Sequence, residues 1–461
     1  ELYPIVYENG SFIITWSQNN NDDFQSYNLY ESQSEDMTDI TQIFTSENIN
    51  DTSYTVTGVS ENEIRYYQII VEDILEMEYL SNIEEANSWN RFVKTFGGSG
   101  DDIGQSVKQT SDGGYIVAGF TNSYGNGDYD VWVIKTNEIG NEEWNKTFGG
   151  SDNDRGYSVE QTTDGGYIIV GYTWSYEYYY NAWLIKIDEN GNEEWNKTYN
   201  MYNDPTALYA FSVQQTLEGG YIITGKVHRP GDTDVLLIKT DENGNVEWET
   251  IFPTGGDRSE YGNSIKQTND GGYIITGYKQ HIPVFDDKVL LLKIDSEGAD
   301  EWNNSFGHTE LEEGHSVLQA SDGGYIILGY TNSYGNGGFD VWLIKADSQG
   351  QEEWNRTFGS SSHDKGYSVE QTTDGGYIIT GYTYSLGNGT SSVWLIKTDA
   401  NGEEEWNKII GDDNYNQMGY SVQQTSDGGY IITSPTSYGN SVSDISLIKT
   451  DSQGNTEPYG N

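Results

Sequence analysis

Apolar residues along most of the chain fall in short dense runs, such as Tyr115-Ile116-Val117-Ala118-Gly119-Phe120 and Val131-Trp132-Val133-Ile134, cut off by Asp-Gly-Gly or Asn-Gly. Runs rich in Ile, Val, Tyr, Trp and Thr between such turns predict β-strands joined in hairpins. No helical period appears. The segment Asp112-Gly113-Gly114-Tyr115 returns at Asp164, Glu218 (Glu for Asp), Asp270, Asp322, Asp374 and Asp427, in steps of 52, 54, 52, 52, 52 and 53 residues. Seven copies of one unit therefore run from about residue 92 to the end. In its clearest form the unit reads Gly-Tyr-Ser-Val-Glu-Gln-Thr-Thr-Asp-Gly-Gly-Tyr-Ile-Ile, then a Gly-rich loop, Val-Trp-Leu-Ile-Lys-Thr-Asp, Asn-Gly, and Glu-Glu-Trp-Asn-Lys-Thr-Phe.

Four short strands per unit of about 50 residues, repeated in tandem, predict an all-β chain whose residues 89–461 form a seven-bladed β-propeller. A parallel β-helix is the competing repeat fold, but its coils are shorter and need no pair of tight hairpins. Outer strands follow six of the units, at Trp144, Trp195, Trp248, Trp302, Trp354 and Trp406, whereas the last runs out through Pro458, which cannot donate to a ladder. The unassigned strand at residues 92–96 is expected to complete blade 7 and zip the two ends of the propeller together. Residues 1–88 differ. Ser11–Trp16, Tyr27–Tyr30, Gln42–Phe44, Tyr54–Val59 and Tyr67–Val71 are short strands between polar turns, as a β-sandwich requires. This stretch resembles a fibronectin type III domain, with Trp16 as its core tryptophan and Tyr67 as its tyrosine corner.

Residues recurring in every unit read first as architecture, since a binding site should break the symmetry. Gln109, Gln161, Gln215, Gln267, Gln319, Gln371 and Gln424 must be paired if buried, and bonds between neighbouring blades would pair them. Lysines 135, 186, 239, 293, 345, 397 and 449 are expected to meet the acidic turn two residues on or the Glu-Glu pair across the hairpin. The Asp-Gly…Trp hairpin is similar to the tryptophan-docking hairpins of quinoprotein propellers, which implies packing and not a quinone.

Composition narrows the function. With 73 acidic and 23 basic side chains the formal charge is −50, which argues against nucleic acid as a partner. Aromatic content of 14% and 55 glycines mark a folded chain and not an acidic disordered tail. Cysteine is absent, which removes disulfides and thiolate chemistry, and no apolar run is long enough for a membrane span. The chain starts at Glu1 without a signal-like stretch, which reads as a processed or truncated end.

Symmetry breaks in the loops of blades 2–4. Trp174, Tyr176, Tyr178 and Tyr179 form an aromatic stretch, and Lys226, His228, Arg229, Lys279 and His281 place scarce cations on two adjacent blades. Such a face would suit a glycan, particularly an acidic one; loop drift is the plainer alternative. Asp101, Asp102, Asp152 and Asp154 could bind calcium, the one cofactor considered, or form a solvated face. Acceptor sequons for N-glycosylation stand at Asn9, Asn50, Asn145, Asn196, Asn303, Asn355 and Asn388. No catalytic constellation stands out: the five histidines share no ligand spacing and the Gly-x-Ser-x-Gly elbow is absent.

The motifs Asp-Gly-Gly-Tyr-Ile-Ile and Val-Trp-Leu-Ile-Lys resemble the tandem blades of secreted and cell-surface proteins of archaea and bacteria, often joined to fibronectin type III modules. That resemblance implies a non-enzymatic extracellular protein, acting in adhesion or as a subunit of a surface layer, sheath or filament. Its partners would be other surface proteins, copies of itself, or glycans; a carbohydrate-active or lectin-like propeller is the alternative.

Overall fold

The computed structural model describes the chain apart from residues 1, 4, 9–10, 20–22, 35, 60–62, 76, 88–90, 176–178, 201–205, 253–257, 282–285, 386–389, 412–413, 439–441 and 457–461. Described residues are all-β, without a helix, and they divide into two compact units, Glu1–Asn90 and Arg91–Asn461.

The first unit has seven strands: β1 (Val6–Glu8), β2 (Ser11–Thr15), β3 (Phe24–Ser32), β4 (Thr41–Ser46), β5 (Ser53–Thr57), β6 (Ile64–Asp73) and β7 (Glu78–Asn87). They form two antiparallel sheets, in the orders β1-β2-β5 and β4-β3-β6-β7. Strand β2 alternates buried and half-buried positions, and its Phe12 and Ile14 meet Trp16, Tyr27, Leu29, Tyr67 and Ile69 in one core. Two strands escape the sequence pattern, β1 and β7. In β7 the apolar Tyr79, Leu80 and Ile83 are all exposed, so no period-two signal marks it. Tyr67 also departs from its expected role. A tyrosine corner bonds backbone, whereas the Tyr67 hydroxyl donates to Glu31 Oε2 at 2.7 Å, on the residue directly opposite in β3.

In the second unit a lone strand, β8 (Phe92–Phe96), precedes the first repeat: β9 (Asp102–Gln109), β10 (Tyr115–Thr121), β11 (Asp130–Thr136) and β12 (Glu142–Phe148). These four form one sheet in sequence order, and the later repeats copy it. Residues 443–450, the third strand of repeat 7, pair with β8, which thereby takes the fourth place in that sheet. Repeats 3 and 4 are also joined by a parallel pairing at Thr233 and Ser259. Strands β10 and β11 are buried at every position because other sheets cover both faces, which explains their dense apolar runs.

The core lies between repeats, not within them. Val131 and Val133 pack on Ile169 and Ile185 between repeats 1 and 2. Equivalent clusters join 2 to 3, 3 to 4, 4 to 5, 5 to 6 and 6 to 7. A seventh joins 7 back to 1, through Ile431 and Ile445 against Val107 and Tyr115. At the seams 1/2, 2/3, 3/4, 4/5 and 6/7 the indole from one repeat lies on the tyrosine of the next repeat's Gly-Gly-Tyr turn, as Trp144 does on Tyr167 at 6.1 Å. Gly191 must be glycine there: its φ is +78°, and a Cβ would come 2.8 Å from the Trp144 ring. At the seam between repeats 7 and 1, Phe92 replaces the indole, 5.9 Å from Tyr115.

The repeated lysines meet the Glu-Glu pair across the hairpin, as expected, and a second acid besides. Lys135 Nζ contacts Glu143 Oε2 and Asp112 Oδ2, each at 2.9 Å; the Asp belongs to the Asp-Gly-Gly turn, not to the turn two residues on. A Cβ on Gly114 would lie 2.6 Å from that ammonium, so the second glycine of the turn makes room for it. Lys186, Lys293, Lys345 and Lys397 repeat both contacts. Although burial opposes it, hydrogen bonds from Thr372 and Lys397 pull the Asp374 carboxyl down to about 2.

Candidate functional site

The first strand of each repeat carries a β-bulge, and that bulge builds a cavity. In repeat 1, Gly104 pairs with Gly119 and Ser106 with Ala118, which leaves Gln105 as an extra residue. The same irregularity leaves over Tyr157, Phe211, Asn263, His315 and Tyr367. In repeat 7 the strand is interrupted, and Tyr420 lies in the break between Tyr415–Gln417 and Ser421–Gln424. All seven residues, with the serines that follow them, line one cavity of about 690 Å³. Its volume falls in the range of small-molecule sites.

Three layers of side chains surround this space. A serine occupies every repeat in the middle layer: 106, 158, 212, 264, 316, 368 and 421. The hydroxyls of Ser106, Ser212, Ser264, Ser316, Ser368 and Ser421 accept from backbone N–H groups of the next repeat, as Ser106 does from Val159 at 3.3 Å, and Ser421 from Val107 at 3.3 Å. These bonds are architecture. The bulge layer varies instead, and its rings form two arcs: Tyr157 with Phe211, edge to face at 5.2 Å, and His315, Tyr367 and Tyr420, with centroids 5.0 and 5.3 Å apart. Gln105 and Asn263 interrupt the arcs; Asn263 donates to Gly314 O at 2.8 Å, while Gln105 makes no hydrogen bond among the described residues.

Charge concentrates in the third layer. Positions 108, 160, 214, 266, 318, 370 and 423 hold Lys, Glu, Gln, Lys, Leu, Glu and Gln. Glu160 and Glu370 each accept from a backbone N–H of the next repeat, at 2.7 and 2.6 Å. Lys108 and Lys266 have no acid within ion-pair distance among the described residues. Burial pulls the Lys266 ammonium below its usual range, with Lys108 adding to the shift. Beyond the bulge layer three more cations lie over rings: Arg155 over Phe120 and Tyr129, Lys226 over Tyr209 and Tyr261, and Lys365 over Tyr330 at 3.7 Å. Burial holds His315 down to about 3, so its imidazole stays neutral beside them.

The loop residues singled out from sequence stand apart from this cavity. Trp174 and Tyr179 are exposed, with Trp174 against Tyr180 at 5.1 Å; Tyr176, Tyr178 and the side chain of His281 lie outside the described residues. The cations are engaged within the protein: Arg229 with Asp234 at 2.8 Å, Lys279 with Glu260 at 2.7 Å, and His228 Nδ1 with Thr233 Oγ1 at 3.0 Å. Among the described residues no three His, Asp or Glu side chains converge as a metal-binding group. Asp101 accepts from Ser443 N, Asp152 is half-buried, and Asp102 and Asp154 are buried at different seams, so these four form no single site.

Of the sequon asparagines, Asn145, Asn196 and Asn355 accept from the indole N–H of Trp132, Trp183 and Trp342 at 3.1–3.2 Å, and donate to a glutamate three residues earlier. Asn303 donates to Asp300 and Asn50 accepts from Gln18, while Asn9 and Asn388 lie outside the described residues. The bulge residues were missed because the repeat looked constant there. Aligned on the invariant serine, the preceding position reads Gln, Tyr, Phe, Asn, His, Tyr, Tyr, and that is the available signal.

No protein-family model and no curated protein matches the chain. Among solved structures it is similar to a protein of unknown function from Bacteroides caccae, at 14% identity and a TM-score of 0.41, covering 62% of this chain and 92% of that one. A protein of unknown function from Dyadobacter fermentans gives 11%, 0.44, 78% and 97%, and Sqt1 from Chaetomium thermophilum 9%, 0.42, 76% and 87%.

Proposed function

We propose that the chain is a non-enzymatic binding module of an extracellular surface protein: a seven-bladed β-propeller, completed by residues 92–96, with a fibronectin type III-like sandwich before it. Its ligand is a polyhydroxyl compound, a glycan or glycan terminus, held at the axis. One observation carries this reading. Around a cavity whose serine ring is constant, the side chains re-aimed by the bulges differ from repeat to repeat, which a purely architectural position has no reason to do. Aromatic faces beside amides, hydroxyls and charged groups match what sugars offer, apolar C–H faces next to dense donors and acceptors. Lys108 and Lys266 add a preference for ligands bearing a carboxylate.

A glycan array probed with the full chain tests this. Binding that falls at least tenfold in Tyr157→Ala and, for acidic glycans, in Lys266→Met is the expected result. Retention in both variants would move the site elsewhere, and ordered polymers without glycan binding would favour a structural subunit. Release of reducing ends that is lost in Glu160→Gln or Glu370→Gln would replace binding by hydrolysis.

A further inference from the structure

Each seam between repeats has two equivalent positions, one five residues before the repeated lysine of the third strand and one four residues before the repeated serine in the first strand of the next repeat. At the seams 1/2, 5/6 and 7/1 both are aspartates: Asp130 with Asp154, Asp340 with Asp364, and Asp444 with Asp102. A glycine marks how close they come. A Cβ on Gly149 would lie 2.7 Å from Asp154 Oδ2 and closer still to Asp130 Oδ1. On Gly359 it would lie 2.9 Å from Asp364 Oδ2, and on Gly97 3.0 Å from Asp102 Oδ2, again closer to the facing Asp340 and Asp444. Two carboxylates therefore border one small space at each of three seams.

The other seams deal with the same positions differently. At 3/4 the acids are Asp234 and Glu260, and the protein gives each a cation, Arg229 and Lys279. At 2/3 the positions hold Asn181 and Leu208, and at 6/7 Ser392 and Gln417, all uncharged. At 4/5 they hold Lys288 and Glu312, a cation and an acid. Only at the three Asp–Asp seams do like charges of equal reach meet with no protein cation in ion-pair contact among the described residues. Asp102, Asp130, Asp154, Asp340 and Asp364 are each no more than 1% exposed. Asp364 Oδ1 and Asp444 Oδ1 are buried and receive no hydrogen bond. Two unpaired carboxylates buried together are costly unless a positive charge joins them.

We infer that the seams 1/2, 5/6 and 7/1 each hold a divalent cation, with calcium the best match, bridged by Asp130 and Asp154, by Asp340 and Asp364, and by Asp444 and Asp102. The donor set is all oxygen and leaves most of the coordination sphere to water, which suits a hard cation. Asp102 and Asp154 already accept from backbone and hydroxyl donors, such as Gly98 N and Ser123 Oγ for Asp102, and are thereby held as oriented carboxylates.

Metal content after dialysis and melting temperature of the full chain, in EDTA or in calcium at matched ionic strength, decide the matter. About three calcium ions per chain and a rise of a few degrees are expected, with magnesium weaker. The variant Asp130→Asn/Asp340→Asn/Asp444→Asn should keep the fold, since an amide oxygen can still accept from Asn126 N and Asn336 N, and should lose both metal and shift. A calcium response equal to that of sodium, or one retained in the triple variant, would overturn the proposal. So would a single Asp340→Asn variant more stable than the parent even in saturating calcium, because that result means a shared proton and not a metal.

Discussion

Ser426 N donates to Gln109 Oε1 at 2.8 Å, across 317 residues of sequence. The bond is the same one that consecutive repeats make: Ser111 N to Gln161, Thr163 N to Gln215, Leu217 N to Gln267 and Asn269 N to Gln319, at 2.8–2.9 Å. Gln109 also donates to Gly113 O at 3.3 Å, so its amide fixes its own turn while receiving the turn of the preceding repeat. Repeat 7 therefore meets repeat 1 as any repeat meets the next. Gln109→Ala and Gln267→Ala should each cost about 1 kcal/mol of stability in urea titrations. A loss in Gln267→Ala with none in Gln109→Ala would show the 7/1 seam to be looser than the rest.

The strand at residues 92–96 should matter more than its length suggests. Phe92 is 6% exposed and fills at Gly140 the place that tryptophans fill at the other seams. Truncation to Ala there removes a buried ring and leaves a cavity at the chain's only non-consecutive seam among the described repeats. Phe92→Ala is expected to cost about 3–5 kcal/mol. Thr95→Ala, on the same strand but exposed, should stay within about 0.5 kcal/mol, and equal effects from the two would argue against Phe92 as the anchor.

Stability should peak in mild acid. Asp112, Asp164, Asp270, Asp322 and Asp374 have lowered pKa values because hydrogen bonds from the turn and from lysine outweigh burial. Their contribution is complete above the unfolded value near about 4 and is lost as pH falls through the folded value, about 2 for Asp374. Asp130, Asp340, Asp287 and Asp444 are raised by burial, Asp340 and Asp287 to about 6. For them the folded state takes up protons first, so stability rises as pH falls from about 7 toward 4. Melting temperatures in EDTA should climb between pH 8 and 5 and fall steeply below about 4. A steady decline from pH 8 downward would contradict this ordering, and saturating calcium should flatten the climb.

What could be read from the sequence divides along symmetry. The strands of the repeats, the pairing role of the glutamines and the odd position of residues 92–96 were all visible, because a feature copied in every unit announces itself. Strand β7 was not, since its apolar residues face solvent. The glutamate partner of Lys135 was legible across its hairpin, but its second acid, Asp112, was not, because that turn comes near the lysine only once the strands have paired. Asn145 read as a glycan acceptor; the structure gives it a second role, since Trp132, Trp183, Trp342 and Trp394 each donate to such an asparagine, although repeat 4 keeps Asn303 with Leu290 in the tryptophan's place. The cavity stayed hidden for a different reason. A bulge re-aims one residue without leaving a mark in a hydrophobic pattern, and only the register reveals it.

Because the serine ring and the bulge ring do different work, stability and binding should separate by one residue. Ser106 Oγ accepts from Val159 N at the seam, so Ser106→Ala leaves a buried N–H unpaired and should cost about 1 kcal/mol while ligand affinity is unchanged. Gln105 stands beside it, faces the same cavity, and has no hydrogen bond among the described residues. Gln105→Leu keeps the volume and breaks no internal bond, so its melting temperature should match the parent's. Its affinity for whichever glycan the array selects should fall by roughly tenfold, the worth of one hydrogen bond to a polar ligand. Should Gln105→Leu lower stability and leave binding intact, the bulge layer is architecture like the serines, and the ligand must be sought on another surface.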